Sequence, residues 1–226
     1  MVYVIASNRI WYENLATRLI ELTGKEFVQI NKRDELTYER LKEIQPRYVF
    51  FPHWSYMIPI NIYKDFECVI FHMTDLPFGR GGSPLQNLIT RGIYETKISA
   101  LRCQAELDAG PLYMKRPLCL YGTAEEIYIR ASKVIEEMVI SIVTNEPASL
   151  NQEGEVVSFT RRRPEDGNIM TLAELEQVFD YIRMLDAEGY PKAFLETEHL
   201  RFEFHRPALK YGKVISDVII TKKQKG

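Results

Sequence analysis

The residues best suited to chemistry fall in one stretch. His72 is followed by Thr74 and Asp75, and then by a glycine-rich run, Gly79-Arg80-Gly81-Gly82-Ser83, that ends at Pro84. A histidine exchanges a proton near neutrality, because its ordinary pKa is about 6.5. It can take a proton from a nucleophile or donate to a developing oxyanion. Backbone N–H groups at the opening of a helix have no intrahelical partner, so the Gly81–Ser83 loop and the turn at Pro84 offer further donors. A carboxylate beside the imidazole would orient it or relay its proton. Asp108, in Leu107-Asp108-Ala109-Gly110, is a candidate, although Asp-Ala-Gly is also ordinary turn chemistry. Metal chemistry is not indicated. His53, His72, His199 and His205 form no HxxxH or HExxH pair, and Cys68, Cys103 and Cys119 show no ligand spacing.

The elements that must position these groups read as an alternation of strands and helices. The apolar run at 2–6 is read as a buried strand, and 26–30, 48–51 and 68–72 as three more strands. Helical spacing predicts helices over 11–22, with Gly24 as cap, and over 36–44. That alternation implies an α/β fold, a Rossmann-like sheet with a parallel core flanked by helices. Such sheets bind ligands beyond the carboxyl ends of their strands, where His53 and His72 both fall. Residues 74–84 read as a turn-rich loop and 84–92 as a helix opened by Pro84. Two β-like runs at 97–104 and 112–120 precede a long helix over 123–145, with Thr123 and Glu126 in a capping-box pattern.

Residues 151–168 are polar and turn-rich, which sets a boundary near residue 150. Residues 1–150 would form the catalytic domain and 151–226 a small C-terminal α+β appendage. In that appendage 171–186 reads as a helix, 188–194 as a turn, 199–220 as short strands and the tail from Thr221 as frayed. The chain has 226 residues, 29 Lys plus Arg against 31 Asp plus Glu, and a net charge of −2. That balance argues against a nucleic-acid partner held by a basic surface. No apolar run reaches the roughly 20 residues that span a bilayer, and residues 1–10 lack signal-peptide features. The expected setting is cytoplasmic, with reduced thiols.

The stretch from His72 to Gln86 resembles the signature of the formyltransferase family that includes methionyl-tRNA formyltransferase. His72 and Pro77 stand at the family's five-residue spacing, and Arg80-Gly81, Gly82-Ser83-Pro84 and Gln86 fall in register. Leu107-Asp108-Ala109-Gly110 resembles the family's Leu-Asp-x-Gly turn. A third block is similar to one in sugar-nucleotide formyltransferases: Arg161 to Gly167, then Ile182-Arg183 and Tyr190-Pro191-Lys192-Ala193-Phe194. The three blocks span residues 72–194.

The resemblance implies transfer of a formyl group from the co-substrate 10-formyltetrahydrofolate to an amine on a nucleotide-linked amino-deoxy sugar, UDP- or dTDP-linked. Bacterial surface glycan or pseudaminic-acid-type biosynthesis is the implied setting. His72 and Asp108 would be catalytic. Pro52, His53, Trp54, Met57, Arg102, Cys103 and Leu107 would hold the folate. Thr74, Asp75, Gly79, Arg80, Gly81, Gly82 and Ser83 would contact the acceptor. No metal is implied, and related sugar enzymes are often dimers, so a homodimer is expected. Three positions depart from the family. Ile70 stands where an asparagine helps hold the formyl oxygen, Asp75 replaces a leucine, and Thr74 stands where serine is usual. Since alternate strand residues share a face, Ile70 should face the same cleft as His72, and the oxyanion would be held by His72 together with a backbone N–H from Gly81–Ser83, or by an ordered water. The alternatives are a methionyl-tRNA formyltransferase-like enzyme, a hydrolase that deformylates the folate, and an inactive folate- or sugar-binding module.

Overall fold

Four of the first six residues, Tyr3 to Ala6, are fully enclosed in the opening strand. A strand buried on both faces belongs inside a parallel sheet covered by helices. The computed structural model describes residues 1–223 and bears this out. In chain order the elements are β1 (Val2–Ala6), α1 (Leu15–Thr23), β2 (Glu26–Ile30), α2 (Tyr38–Ile44), β3 (Tyr48–Phe51), α3 (Ile60–Asp65), β4 (Cys68–His72), β5 (Phe78–Gly81), α4 (Pro84–Ile89), β6 (Glu95–Arg102), β7 (Leu112–Cys119), α5 (Ala124–Asn145), β8 (Val157–Phe159), α6 (Leu175–Leu185), β9 (Ala193–Glu196), β10 (Leu200–Lys210) and β11 (Lys213–Lys222).

The main sheet has the order β2-β1-β3-β4-β6-β7. β1 pairs in parallel with β2 and β3, β3 with β4, and β6 returns antiparallel to β4. The sheet strands contribute Val4, Ala6, Ile30, Val49, Phe51 and Cys68 to an apolar cluster that Leu41 of α2 joins. A second sheet, β11-β10-β9, is antiparallel, and α6 packs on β10. β5 and β8 make a two-stranded ribbon.

The described residues form two compact units. One holds residues 1–81, 96–118 and 129–158, the other residues 82–95, 119–128 and 159 onward. The composition shift near residue 150 is followed by the last passage of the chain between them, after Ser158.

Several elements differ from expectation. The first helix is interrupted: Ile10–Tyr12 is a 3-10 turn, and α1 starts only after Asn14, whose backbone is non-helical. Its end is as expected, with Gly24 in the left-handed region donating to Ile20 O. The loop after His72 contains β5, and the expected 188–194 turn gives its last residues to β9. The expected short strands after 199 are two long ones, broken by a bulge between His205 and Ala208. Pro207 lies there, and it has no N–H for the ladder. Thr221 and Lys222, expected to fray, lie in β11, while 224–226 lie outside the described residues. The Thr123–Glu126 capping box forms as read, with each residue bonding the other's backbone N–H.

Candidate active site

β4 ends at His72, which is 8% exposed. Its Nε2 lies 2.8 Å from Gly79 O, and its Nδ1 lies 3.5 Å from Asp108 Oδ2. A carbonyl can only accept, so Nε2 carries a hydrogen and Nδ1 is the nitrogen turned toward the carboxylate. Asp108 is equally enclosed, at 7%. Its φ of +53° is left-handed, and its Oδ2 accepts the Gly81 N–H at 2.9 Å. The turn around it sits tight on the end of β6. A Cβ at Gly110 would stand 1.8 Å from Arg102 O, so only glycine fits. Gln152, not singled out by sequence, donates from Nε2 to Asp108 O and Gly110 O, both at 2.8 Å.

The residues expected to touch the acceptor have defined partners of their own. Thr74 is buried and donates to Gly79 O, and Ser99 holds Thr74 O. Asp75 binds Lys115 and Lys97. Partial burial alone would raise its carboxyl, but hydrogen bonds and charge from Lys115 and Lys97 outweigh burial and hold it below the usual carboxylate range. Arg80, on β5, places Nε and Nη2 on Gln152 Oε1 and Nη1 on the exposed Glu106. Gly82 donates to Phe159 O, and a Cβ there would meet Arg161 Cβ at 2.4 Å. Ser83, left-handed at φ +51°, accepts the Arg162 N–H on its Oγ. The Gly81 and Gly82 N–H groups, expected to face an oxyanion, are thus donated to Asp108 and Phe159.

On the folate side, the structure brings Trp54, Ile70 and Cys103 onto the apolar cluster around Phe51 and Cys68. Cys103 follows β6 directly, and its N–H bonds Cys68 O. Burial and the Asp108 charge push the Cys103 thiol up to about 11, and burial pushes Cys68 higher still, so both stay protonated. Pro52 is buried, and His53 stacks on Trp11 at 5.5 Å. Burial, then the charge of Arg9, push His53 down to about 3, which keeps it neutral. Arg102 pairs with Glu67 at 3.2 Å. Met57 and Leu107 are exposed. Among the described residues no group of three or more His, Cys, Asp or Glu side chains could hold a metal ion, and no helix is long and apolar enough to cross a membrane.

Comparison with known proteins decides the family. A methionyl-tRNA formyltransferase structure from Clostridium thermocellum is 49% identical, covers 99% of this chain and 100% of its own, and superposes with a TM-score of 0.96. The chain belongs to the methionyl-tRNA formyltransferase family. A family model described as methionyl-tRNA formyltransferase, C-terminal domain, matches residues 164–221. A methionyl-tRNA formyltransferase of Rickettsia felis is 26% identical over 202 residues, which are 82% of this chain and 65% of that relative. The chain therefore spans less than two thirds of that enzyme's length. The fold is shared more widely in this structural class. The formyltransferase PseJ from Anoxybacillus kamchatkensis, solved in complex with UDP-4,6-dideoxy-4-formamido-L-AltNAc and tetrahydrofolate, is 15% identical, with a TM-score of 0.56 over 70% of this chain and 85% of its own.

Proposed function

We propose that the chain moves a formyl group from 10-formyltetrahydrofolate to the amine of a nucleotide-linked amino-deoxy sugar, UDP- or dTDP-linked, in bacterial surface glycan or pseudaminic-acid-type biosynthesis. The observation that carries the transfer reading is the enclosed His72–Asp108 pair at the carboxyl end of β4, 3.5 Å apart. A dead module has no chemical need for a carboxylate held this close to an imidazole away from water. Residues 1–150 would carry this chemistry and 151–226 the appendage.

The fit for a reduced folate rests on Trp54 Nε1 and Ser55 Oγ, which are buried with no hydrogen-bond partner among the described residues. Trp54 packs on the same apolar cluster as Ile58, Ile70 and Cys103. A flat heterocycle needs such apolar walls and edge hydrogen bonds. When bound, 10-formyltetrahydrofolate supplies the formyl carbon on its N10. His72 Nε2–H, now on Gly79 O, is the donor that can turn to the developing oxyanion. Asp108 accepts the proton the amine sheds as its nitrogen bonds the formyl carbon, directly or through one water, and returns it to N10 as the old C–N bond breaks.

The sugar acceptor is supported by the blocks at Arg161–Gly167 and Tyr190–Phe194. It is also supported by a cavity of about 460 Å³ in the second unit, lined by Arg161, Arg162, Glu165, Asn168 and Tyr181 among others. Guanidinium, carboxamide and carboxylate groups suit a hydroxylated, anionic ligand. The methionyl-tRNA formyltransferases among its relatives favour a second reading, methionyl-tRNA as acceptor, and conflict with the absence of a nucleic-acid partner expected from net charge. The test is incubation with 10-formyltetrahydrofolate and a panel of UDP- and dTDP-amino sugars and methionyl-tRNA, read by mass spectrometry. Formylated sugar nucleotide is expected. Formylated methionyl-tRNA would move the assignment to the second reading, and loss of formyl with no acceptor product would mean a hydrolase.

The homodimer is part of this reading, and β11 is its support. This edge strand leaves Ile215, Val218, Ile219 and Ile220 between 41% and 58% exposed. Pairing β11 antiparallel with its copy about Ile219 sets Val218 opposite Ile220 and Asp217 opposite Thr221, with no like charges opposed across residues 216–222.

A further inference from the structure

Gln152 lies in the polar segment between α5 and β8, where composition reads as linker. Every polar atom of its side chain is used. Nε2 donates its two hydrogens to Asp108 O and Gly110 O, each at 2.8 Å. Oε1 accepts Nε and Nη2 of Arg80, at 3.1 and 2.9 Å. Arg80 lies on β5 next to Gly81, and the Gly81 N–H in turn holds Asp108 Oδ2. One carboxamide thus closes a ring of bonds through the turn that carries Asp108 and the strand that grips its carboxylate.

The turn needs that support. Asp108 is left-handed, a conformation tolerated by aspartate but not preferred over the extended and helical regions. Gly110 is pressed against Arg102 O, and Leu107 and Glu106 are exposed, so little apolar packing holds the turn from its outer side. We propose that Gln152 is a positioning residue that sets the Asp108 carboxylate against His72, and that Arg80 is chiefly its clamp. The proposal rests on the formyl-transfer reading for its kinetic arm and on geometry alone for its structural arm. Only glutamine satisfies the arrangement. Glutamate keeps the acceptor for Arg80 and loses both donors to the turn. Lysine keeps donors and loses the acceptor, and asparagine is one methylene short.

The experiment compares Gln152→Glu and Gln152→Ala with the natural protein. For both variants kcat should fall about 100-fold, the loss typical of a misplaced catalytic group, with KM for folate and acceptor within about twofold. In an Asp108→Asn background, Gln152→Ala should cost less than about threefold more, since the two residues act as one unit. Crystal structures of the natural protein and Gln152→Glu give the independent arm: the Asp108 carboxylate should leave the Gly81 N–H and the reach of His72. An unchanged Asp108 position, full activity in Gln152→Glu, or losses that add in the double variant would overturn the proposal. If the natural protein transfers no formyl group to any acceptor, the functional reading fails, and the crystal structures alone decide the role of Gln152.

Discussion

At the scale of single residues, the approach of His72 to Asp108 was legible because their spacing resembles a known signature and one of them ends a strand. Gln152 was not, because its partners are two backbone carbonyls and an arginine more than 40 residues upstream, and no spacing rule marks such a contact. Ile70 is partly buried. It shares a strand face with His72, as alternation requires, but it packs on the apolar cluster with Phe51 and Cys68. Ile70→Asn should therefore lower stability by about 1–3 kcal/mol, the cost of an amide poorly satisfied among apolar neighbours, and leave turnover no higher. Thermal melts and kcat check both, and a faster variant would show that the amide was the missing oxyanion donor. Asp75, expected on the acceptor, anchors two lysines. Its carboxyl is depressed, so its stabilising effect is present above the unfolded pKa of about 3.9 and disappears as pH falls through the folded value. Asp75→Asn should be less stable than the natural protein at pH 7, and the gap should close in acid, once pH falls below the depressed carboxyl of the folded state. Urea titrations at both pH values would reveal a gap that persists in acid, which the account does not allow.

At the scale of elements, the strands β1, β3 and β4 were legible as largely apolar runs, and α5 by its capping box. The six-residue α3 and the ribbon β5–β8 were not, since three- and four-residue strands exist only where a partner distant in sequence supplies the other half. α6 was expected and is found, yet its most constrained residue is polar. Arg183, 2% exposed, places its guanidinium on Asp180 at 2.6 Å and on the Leu120 and Gly122 carbonyls at 2.7 and 3.0 Å, near the rings of Tyr94 and Phe179. Removing one partner of a buried pair leaves the other charge stranded, at about 3–5 kcal/mol. Arg183→Ala should destabilise by that amount or fail to accumulate as folded protein. A melting temperature within a few degrees of the natural protein would refute this role.

At the scale of the whole molecule, the fold class was legible because strand–helix alternation dictates it, whereas the division into two units was not. Segments 82–95 and 119–128 belong with the C-terminal residues, a grouping set by packing and invisible to composition. The exposed edge at β11 is the surface proposed for self-association. Sedimentation should show a dimer that Ile219→Lys converts to a folded monomer, because the substitution places two like charges opposite each other at the centre of the pairing. A monomeric natural protein at micromolar concentration would remove the dimer from the account.

The central claim is that His72 and Asp108 together move a formyl group. The direct measurement is a single-turnover experiment with 10-formyltetrahydrofolate labelled in the formyl carbon, following label into the acceptor identified by the panel. The natural protein should transfer the label, and His72→Gln and Asp108→Asn should each slow transfer by about 100-fold or more while remaining folded and able to bind reduced folate. Transfer at an undiminished rate by folded Asp108→Asn, or folate binding by the natural protein with no label reaching any amine, would contradict it.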